Sequence, residues 1–226
     1  MGKRGPQPKY KINLAWRPEL AYVVGLLVTD GNLSKDGRHF SFVSKDIEQI
    51  NNFNKCLGVK PKLGETISGY KGKSAYRVQL GNVIFCNFLF SIGLTPAKSK
   101  TIGPIDIPAE YFFDYLRGCF DGDGCFYSYW DPRWRSSFMF YLTFSSASSK
   151  HILWLRDKIY NHLSVRGHIS KSKRKGSIYN LRYAKKEALE IIKRMYYTQK
   201  VVCLPRKRDK IKKALEIEKK QQKTYV

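Results

Sequence analysis

Two ten-residue segments of this 226-residue chain follow one pattern, and this repetition restricts the possible folds more than any other feature of the sequence. Residues 22–31 read YVVGLLVTDG and residues 115–124 read YLRGCFDGDG, so Tyr, Gly, Asp and Gly stand at the same offsets in both. The distance between Asp30 and Asp123 leaves room for one small domain per copy. The sequence therefore predicts two related halves, each beginning with the same segment.

The segments after each copy also repeat in order. Apolar and polar residues alternate in the predicted strands, whereas the predicted helices carry one apolar stripe and end near a glycine such as Gly58 or Gly93. The predicted strands cover residues 39–44, 75–80, 137–144 and 178–183. Each half reads helix, two strands, helix, two strands, helix. The predicted fold class is α+β, with antiparallel sheets that carry their helices on one face.

Local composition predicts the boundaries of these halves. A basic N-terminal arm precedes the first half, a stretch with Gly and Pro joins the halves, and a charged helical tail ends the chain. The predicted ranges are 1–12 for the arm, 13–100 for the N-terminal half, 101–108 for the linker, 109–207 for the C-terminal half and 208–226 for the tail.

The charge of the chain indicates an anionic partner. Lys and Arg number 42 against 18 Asp and Glu, which gives a formal charge of +24. Positive charges at this density repel one another, and binding to an anionic partner such as nucleic acid is the simplest reason for a chain to carry them. Hydrophobic residues make up 42%, so a packed core is expected. No apolar segment approaches the roughly 20 residues of a membrane span, and none follows the basic N-terminus as in a secretory signal.

The five cysteines form no C-x-x-C pair. An odd count without metal-ligand spacing disfavours a zinc site and a disulfide framework. The cysteines therefore predict small core residues in a reducing intracellular compartment, in a protein that is not secreted.

The repeated segment reads as an apolar helix that ends in an acid. Ala21 and Gly25 in the first copy, like Gly118 and Gly122 in the second, are spaced by four and put small residues on one helix face, where another backbone can approach closely. Each aspartate falls at the helix C-terminus, before a glycine suited to a left-handed cap. If the two helices pack through their glycines, the two carboxylates come to lie side by side.

Two clustered carboxylates favour a hard divalent cation such as Mg²⁺. In a strongly basic chain, an acidic pair between two sheets favours metal-assisted hydrolysis of a phosphodiester. A single Asp-Gly after an apolar run would equally fit an ordinary helix end, but two copies with the same offsets make that reading improbable.

The two segments resemble the paired motifs of the LAGLIDADG homing endonucleases, in the single-chain form with both motifs on one polypeptide. The resemblance covers residues 14–207, approximately. It implies a pseudo-two-fold pair of αββαββα repeats, with the motif helices at the domain interface and two saddle-shaped antiparallel sheets in the major groove of DNA. It also implies cleavage of both strands across the minor groove, with short 3′ overhangs.

The resemblance also implies the site residues. Asp30 and Asp123 correspond to the metal-binding acids, with Mg²⁺ as cofactor and Mn²⁺ or Ca²⁺ as substitutes. Lys98 and Lys207 match the basic residue near each scissile phosphate, where a lysine can stabilise developing charge or order the attacking water; phosphate neutralisation without a catalytic part is the alternative. The polar residue of the water network would be Lys45 in one half and Ser146 in the other.

The sequence departs from the family pattern at two positions. The sixth motif position, often acidic, is Val28 in the first copy and Asp121 in the second. Its usual role is helix packing or capping, so Val28 does not predict a loss of activity. Arg117 stands where a small apolar residue is common.

The predicted DNA-binding residues lie on strand faces and hairpin tips. Outward-facing strand residues can contact base edges, and basic tips can hold phosphates. The strand residues are Arg77, Gln79, Asn180 and Arg182. The tip residues are Lys71, Lys73, Arg133, Arg135, Lys171, Lys173 and Arg174. Because the halves differ in sequence, the predicted target is long double-stranded DNA that is an imperfect palindrome or fully asymmetric, bound by a monomer.

Two other functions fit the same scaffold. An intron-encoded protein of this type can act as a maturase that binds its host-intron RNA, with or without cleavage. A non-catalytic DNA-binding regulator is the second alternative. Retention of both Asp30 and Asp123 favours cleavage over each of them.

Overall fold

The protein is described by a computed structural model that covers residues 8–68, 73–134, 136–172 and 177–224, without the side chains of residues 68, 73 and 222–224. Its first half follows the predicted order of one helix, two strands, one helix, two strands and one helix. These elements are α1 (Pro18–Asp30), β1 (Gly31–Leu33), β2 (His39–Ser44), α2 (Ile47–Leu57), β3 (Gly64–Ser68), β4 (Lys73–Gly81) and α3 (Val83–Ser91).

The second half repeats this order and adds one helix. Its elements are α4 (Phe112–Asp123), β5 (Cys125–Trp130), β6 (Phe138–Ser146), α5 (Ser149–Leu163), β7 (His168–Lys171), β8 (Tyr179–Ala184), α6 (Lys185–Met195) and α7 (Pro205–Thr224). Short 3₁₀ turns at Lys98–Lys100 and Ala109–Tyr111 flank the junction between the halves. The expected pair of αββαββα repeats is confirmed.

Each half contains a four-stranded antiparallel sheet. The strand orders are β1-β2-β4-β3 and β5-β6-β8-β7, so the two sheets have the same topology. In the second sheet, Phe138, Phe140, Leu142 and Phe144 of β6 are buried and alternate with half-buried residues. This period of two puts one sheet face on the helices and leaves the other face to solvent.

Helix boundaries follow local chemistry in the first half. Gly58 takes a left-handed conformation (φ 68°) and ends α2, as its position after the apolar stripe predicted. Asn82 caps α3, because its side-chain Oδ1 accepts a hydrogen bond from the backbone N–H of Phe85 at 2.9 Å.

Three local expectations change. Gly31 and Gly124 are extended rather than left-handed (φ −85° and −76°), because a strand begins directly at or after each of them. Helix α7 begins at Pro205, so Lys207 lies in its first turn rather than before the helical tail. Tyr10, assigned to the basic arm, hydrogen-bonds to Lys60 O and accepts from Asn82, and so packs on the first half.

Among the described helices, none combines the length and the apolar character that crossing a bilayer requires.

Candidate active site between the motif helices

Helices α1 and α4 pack against each other through glycines. A Cβ atom placed on Gly25 would lie 2.2 Å from Tyr115 O, and one placed on Gly118 would lie 2.1 Å from Tyr22 O. No side chain fits such gaps, so the two backbones touch where the motifs carry glycine. Both helices are buried along most of their length, which makes them the centre of the molecule. The predicted glycine contact is therefore present, between the fourth residues of the two copies.

The next small position brings the acids together. Gly122 of α4 lies against α1, since a Cβ on it would be 2.0 Å from Thr29 Oγ1 and 2.9 Å from Asp30 Oδ2. Asp123 follows Gly122 directly, and both acids end their helices. The carboxylates of Asp30 and Asp123 therefore lie close together, at the C-terminal ends of the paired helices.

Burial and mutual repulsion make this pair costly to ionise. Burial, together with the charge of Asp123, raises the pKa of Asp30 to about 6. Burial also raises the pKa of Asp123, while Lys207 and Lys98 oppose that change. Carboxylates in this state gain from a neutralising partner.

The donor set fits a divalent cation. Carboxylate oxygens are the ligands that Mg²⁺ prefers, and two nearby carboxylates with raised pKa values would be stabilised by its charge. Within the described ranges, no group of three or more His, Cys, Asp and Glu side chains is arranged around a common point. Asp30 and Asp123 are accordingly the residues that could hold the ion.

The two predicted lysines reach the same helix ends but are bound unequally. Nζ of Lys98 donates to the carbonyl of Gly31, just after α1. Nζ of Lys207 donates to three carbonyls at the end of α4, those of Phe120 (2.6 Å), Gly122 (3.0 Å) and Gly124 (2.7 Å). An ammonium group has three N–H donors, so the donors of Lys207 are all occupied.

Burial changes the pKa of both lysines. Burial lowers the pKa of Lys207 to about 8, and burial lowers that of Lys98 as well, although the nearby acids oppose both changes. Each lysine places positive charge at a helix C-terminus, where the helix dipole favours a cation. The structure thus brings Asp30, Asp123, Lys98 and Lys207 into one cluster at the ends of α1 and α4.

Asp121 occupies the sixth motif position in α4 and joins three parts of the chain. Its Oδ2 accepts hydrogen bonds from the hydroxyl of Tyr22 in α1 (2.8 Å) and from the backbone N–H of Leu204 just before α7 (2.7 Å). The side chain is 1% exposed, and burial raises the pKa of its carboxyl to about 6. Asp121 therefore fixes the segment that delivers Lys207, whereas Val28 in the first copy has no such group.

Arg117 is also buried, and each of its three guanidinium nitrogens donates a hydrogen bond. It forms an ion pair with Asp114 at 2.6 Å and donates to the carbonyls of Met195 and Val202. The long side chain thus takes the place of a small apolar residue by linking α4 to the end of α6.

A cleft of about 740 Å³ opens beside the acids. Asp30 and Asp123 line it together with Lys45 and Gln49 of the first half and with Arg206 of α7. Lys45 therefore lies where the water-network expectation put it. Ser146, its expected counterpart, lies at the end of β6, and its Oγ accepts from the backbone N–H of Ser148 at 3.1 Å.

A link between the halves at this cleft was not predicted from the sequence. Arg206 pairs with Asp46 through Nη2 at 2.7 Å and through Nε at 2.9 Å. Nearby, Asn52 of α2 donates to Cys203 O at 2.9 Å. These partners are about 150 residues apart in the chain, and no local pattern in the sequence signals the contact.

The predicted strand residues lie on the solvent face of the sheets. Arg77 and Gln79 are exposed, and Arg77 donates to Gln79 Oε1 at 2.7 Å. Asn180 accepts from Ser145 at 2.8 Å, and the guanidinium of exposed Arg182 lies 5.6 Å from the ring centre of Tyr141. These four residues are free to meet a ligand laid across the two sheets.

The predicted tip residues are described only in part. Arg133 lies in the turn between β5 and β6 and pairs with Asp131 at 3.2 Å. Lys171 ends β7, with Nζ 5.6 Å from the ring centre of Tyr179. Lys73 begins β4, and its side chain is not among those that the structure describes. The remaining tip residues fall outside the described residues and are Lys71, Arg135, Lys173 and Arg174.

Comparison with known proteins rests on structure alone, because no family model and no curated protein sequence matches this chain. The I-SmaMI meganuclease bound to uncleavable DNA matches with a TM-score of 0.60 and 14% identity, over 93% of this chain and 92% of that one. I-DmoI in complex with DNA and Mn matches with a TM-score of 0.52 and 15% identity, over 80% and 98%.

A third neighbour is longer than this chain. Full-length DUF199/WhiA from Thermatoga maritima matches with a TM-score of 0.57 and 14% identity, over 91% of this chain. The match spans 62% of the WhiA chain. Together with the two four-stranded sheets and the glycine-packed motif helices, these likenesses show that the chain has the two-repeat fold of the LAGLIDADG homing endonucleases.

Proposed function

We propose that this protein is a site-specific endonuclease that hydrolyses one phosphodiester on each strand of an asymmetric double-stranded DNA target. The observation that carries the proposal is the meeting of Asp30 and Asp123 at the ends of two contacting helices. Each half contributes one acid and one sheet, so one chain supplies a matched set of groups to each DNA strand. This arrangement supports action as a monomer.

The proposed cofactor is Mg²⁺, with Mn²⁺ or Ca²⁺ as substitutes, held by Asp30 and Asp123. A divalent cation supplies charge stabilisation to the phosphate under attack. The raised pKa of Asp30 means that this carboxyl is only about half ionised near pH 6, so the ion and a proton compete for it. The neighbour described as a complex with DNA and Mn supports the choice of a divalent metal.

The lysines have separate parts in this proposal. Lys207 holds the carbonyl end of α4 with all of its donors, and it keeps Gly122 and Gly124 in place on either side of Asp123. Lys98 donates to Gly31 beside Asp30, so its ammonium is the better placed of the two to turn toward a phosphate oxygen or a water.

The solvent faces of the sheets would contact the target. Arg77 and Gln79 in one half, and Asn180 and Arg182 in the other, carry the donors and acceptors that discriminate bases in a major groove. The high positive charge would neutralise phosphates and make affinity depend steeply on salt. The neighbours bound to DNA support this assignment.

One observation favours a second function, which is DNA binding without cleavage. Saturation of Lys207 by three carbonyls gives this residue a structural role, so the ammonium predicted to serve the second acid is already engaged. The same fold also occurs within the longer WhiA chain. A protein of this kind would bind a duplex target and leave both strands intact.

A single selection distinguishes the two functions. Randomised duplex DNA is incubated with the protein and Mg²⁺, and sequencing of new ends reports cleavage, target and overhang together. A parallel selection in EDTA recovers DNA that is bound but uncut. The endonuclease predicts new ends with short 3′ overhangs that appear only with the metal, whereas enrichment in both selections with no new ends identifies the non-cleaving function.

A further inference from the structure

The solvent face of the second sheet carries an aromatic column. Tyr127 and Tyr129 of β5 have ring centres 5.4 Å apart at an interplanar angle of 26°, and Tyr129 stacks in turn on Tyr141 of β6 at 6.3 Å and 13°. The guanidinium of Arg182 on β8 lies 5.6 Å from the ring centre of Tyr141. The column therefore crosses three strands, and Tyr127 at one end is 60% exposed.

The corresponding face of the first sheet is different. In this sheet, Asn32 of β1 lies opposite Ser41 of β2, and Ser41 lies opposite Gln79 of β4. Val43 of β2 lies opposite Arg77 of β4. Of these five residues none is aromatic, so the described centre of this face is polar with one valine. The aromatic residues of the same strands, such as Phe40 and Phe42 of β2, point into the core. The two sheets thus offer different chemistry to the two ends of a ligand.

The stacking determines which parts of the rings remain available. The ring of Tyr129 is in stacked contact with both Tyr127 and Tyr141, and the guanidinium of Arg182 lies near the ring of Tyr141. A platform for single-stranded nucleic acid needs free ring faces on which bases can stack. Rings that already stack on one another offer less free face for this, which favours contact with base edges in a groove.

The column is also assembled before any ligand binds. The rings of Tyr127, Tyr129 and Tyr141 already stack on one another in the free protein. Tyrosine has few rotatable bonds, so a stacked set loses little conformational freedom on binding. Such a rigid apolar surface on the solvent side of a soluble protein contributes nothing to the core beneath it.

We infer that Tyr127, Tyr129 and Tyr141 form a reading surface for thymine in the half of the DNA target that lies on the second sheet. This inference rests on the proposed function and adds base preference to it. In the major groove, thymine differs from the other bases by its C5-methyl group, and apolar side chains recognise that group by contact. The first sheet has no equivalent surface in its described centre, so the preference belongs to one half-site.

The chain sets the position of this preference. Tyr127 and Tyr129 follow Asp123 by four and six residues, mostly within β5, which allows a reach of at most about 13 to 20 Å at ~3.3 Å per residue. Base pairs repeat every ~3.4 Å, so the preferred thymines lie about four to six base pairs from the centre of the target.

The test uses replacement of thymine by deoxyuridine, which removes only the methyl group. A target is first selected from randomised duplex DNA in EDTA, where no cleavage occurs. Each thymine about four to six base pairs from the centre is then replaced, in one half-site at a time, and the dissociation constant is measured. We expect binding to weaken about threefold to fivefold per methyl group in one half-site, as the loss of one buried methyl requires, and hardly at all in the other.

Protein variants assign the effect to the column. Tyr129→Thr removes the ring but keeps a residue suited to a strand, and it should abolish the difference between thymine and deoxyuridine. Tyr129→Phe keeps the ring and should keep the difference. Asn32→Thr, on the solvent face of the first sheet, is the matched control and should leave the response of the column's half-site unchanged. Tyr127→Thr, at the most exposed ring, repeats the test if Tyr129→Thr does not fold.

The outcomes separate this inference from the proposed function. If no duplex sequence is enriched, the proposed DNA-binding function fails. If a target is enriched but deoxyuridine has no effect in either half-site, or if its effect persists in both Thr variants, the reading surface is refuted while DNA binding stands. Equal effects in both half-sites also refute it, because among the described residues the column belongs to the second sheet.

Discussion

The two halves of the protein share their backbone plan but differ in how each supports its acid. In the second half, Lys207 donates to three carbonyls around Asp123. Asp121 links the turn just before α7 to helix α1. In the first half, Lys98 binds the carbonyl of Gly31, and Val28 stands where Asp121 does. The second acid therefore sits in a more heavily bonded frame.

This difference separates what the two-fold arrangement requires from what it leaves variable. Glycine contact and a terminal aspartate occur in both helices, because both are needed to bring two carboxylates together. The lysine contacts and the sheet surfaces are not constrained in this way. We therefore expect equal effects from changes at the acids and unequal effects from changes around them.

The largest expected effect is at the acids themselves. Asp30→Asn and Asp123→Asn each remove one charge from the proposed metal site, so each should lower double-strand cleavage by at least about a thousandfold. DNA affinity should change by less than about threefold, because phosphate contacts supply most of the binding energy. Plasmid cleavage and gel-shift titration measure the two quantities.

The size of the loss should be alike for the two variants if the acids form one site. A variant that cut both strands at the wild-type rate would remove its aspartate from the mechanism. Exposed Asp106 provides the control, since Asp106→Asn leaves the helix ends unchanged.

The next effect concerns the glycine contact. Gly118→Ala places a methyl group about 2 Å from Tyr22 O, so α1 and α4 must separate, and we expect a loss of at least about 3 kcal/mol in the free energy of unfolding. Gly103→Ala is the matched control, because nothing lies within 4 Å of the added methyl group. Urea denaturation of both variants tests this, and equal stabilities would contradict the close packing.

The sequence was sufficient for those features that repeat or are local. Alternation gave the strands, glycine spacing gave the helix contact, and the doubled motif placed Asp30 beside Asp123. The left-handed caps at Gly31 and Gly124 were wrong, because the sequence does not show that each helix leads straight into a strand. The fold class itself was confirmed by the structural neighbours and the sheet order.

The sequence was insufficient for contacts made over long chain distances. The partners of Lys207 lie more than 80 residues earlier, and Arg206 meets Asp46 across 160 residues. Such contacts depend on how the two folded halves pack against each other, and hydrophobic periodicity along the chain carries no information about this packing. The predicted reading residues illustrate the same limit, since alternation identifies Arg182 as outward but does not reveal the tyrosines stacked beside it.

The lysines should show the difference between the halves in stability. Lys207→Met leaves three carbonyls without their donor, whereas Lys98→Met affects one described carbonyl, so the first variant should lose about 1 to 2 kcal/mol more than the second. Thermal and urea unfolding measure this difference.

Cleavage should respond in the opposite order. Lys98→Met should slow the cutting of one strand and give nicked plasmid, because the ammonium of Lys98 is the less occupied of the two. Equal stability losses, or nicking by Lys207→Met alone, would reverse the roles given to the two residues.

The smallest effect follows from the raised pKa of Asp30. Its folded pKa is about 6, above the unfolded value of about 3.9, so the folded protein without metal holds the proton more tightly and loses stability as the pH rises from about 4 through 6. Asn cannot ionise, and Asp30→Asn should therefore raise the melting temperature at pH 8 by about 2 to 4 °C, but by less at pH 5. Asp123→Asn should act in the same direction, because burial raises the pKa of Asp123 as well. Mg²⁺ should stabilise the wild-type protein more at pH 8 than at pH 5, because ionised carboxylates bind it. It should stabilise each of the two variants less than it stabilises the wild-type protein. Calorimetry at both pH values, with and without Mg²⁺, measures these differences. If the stability of the wild-type protein changed neither with pH nor with Mg²⁺, the two carboxylates would not interact.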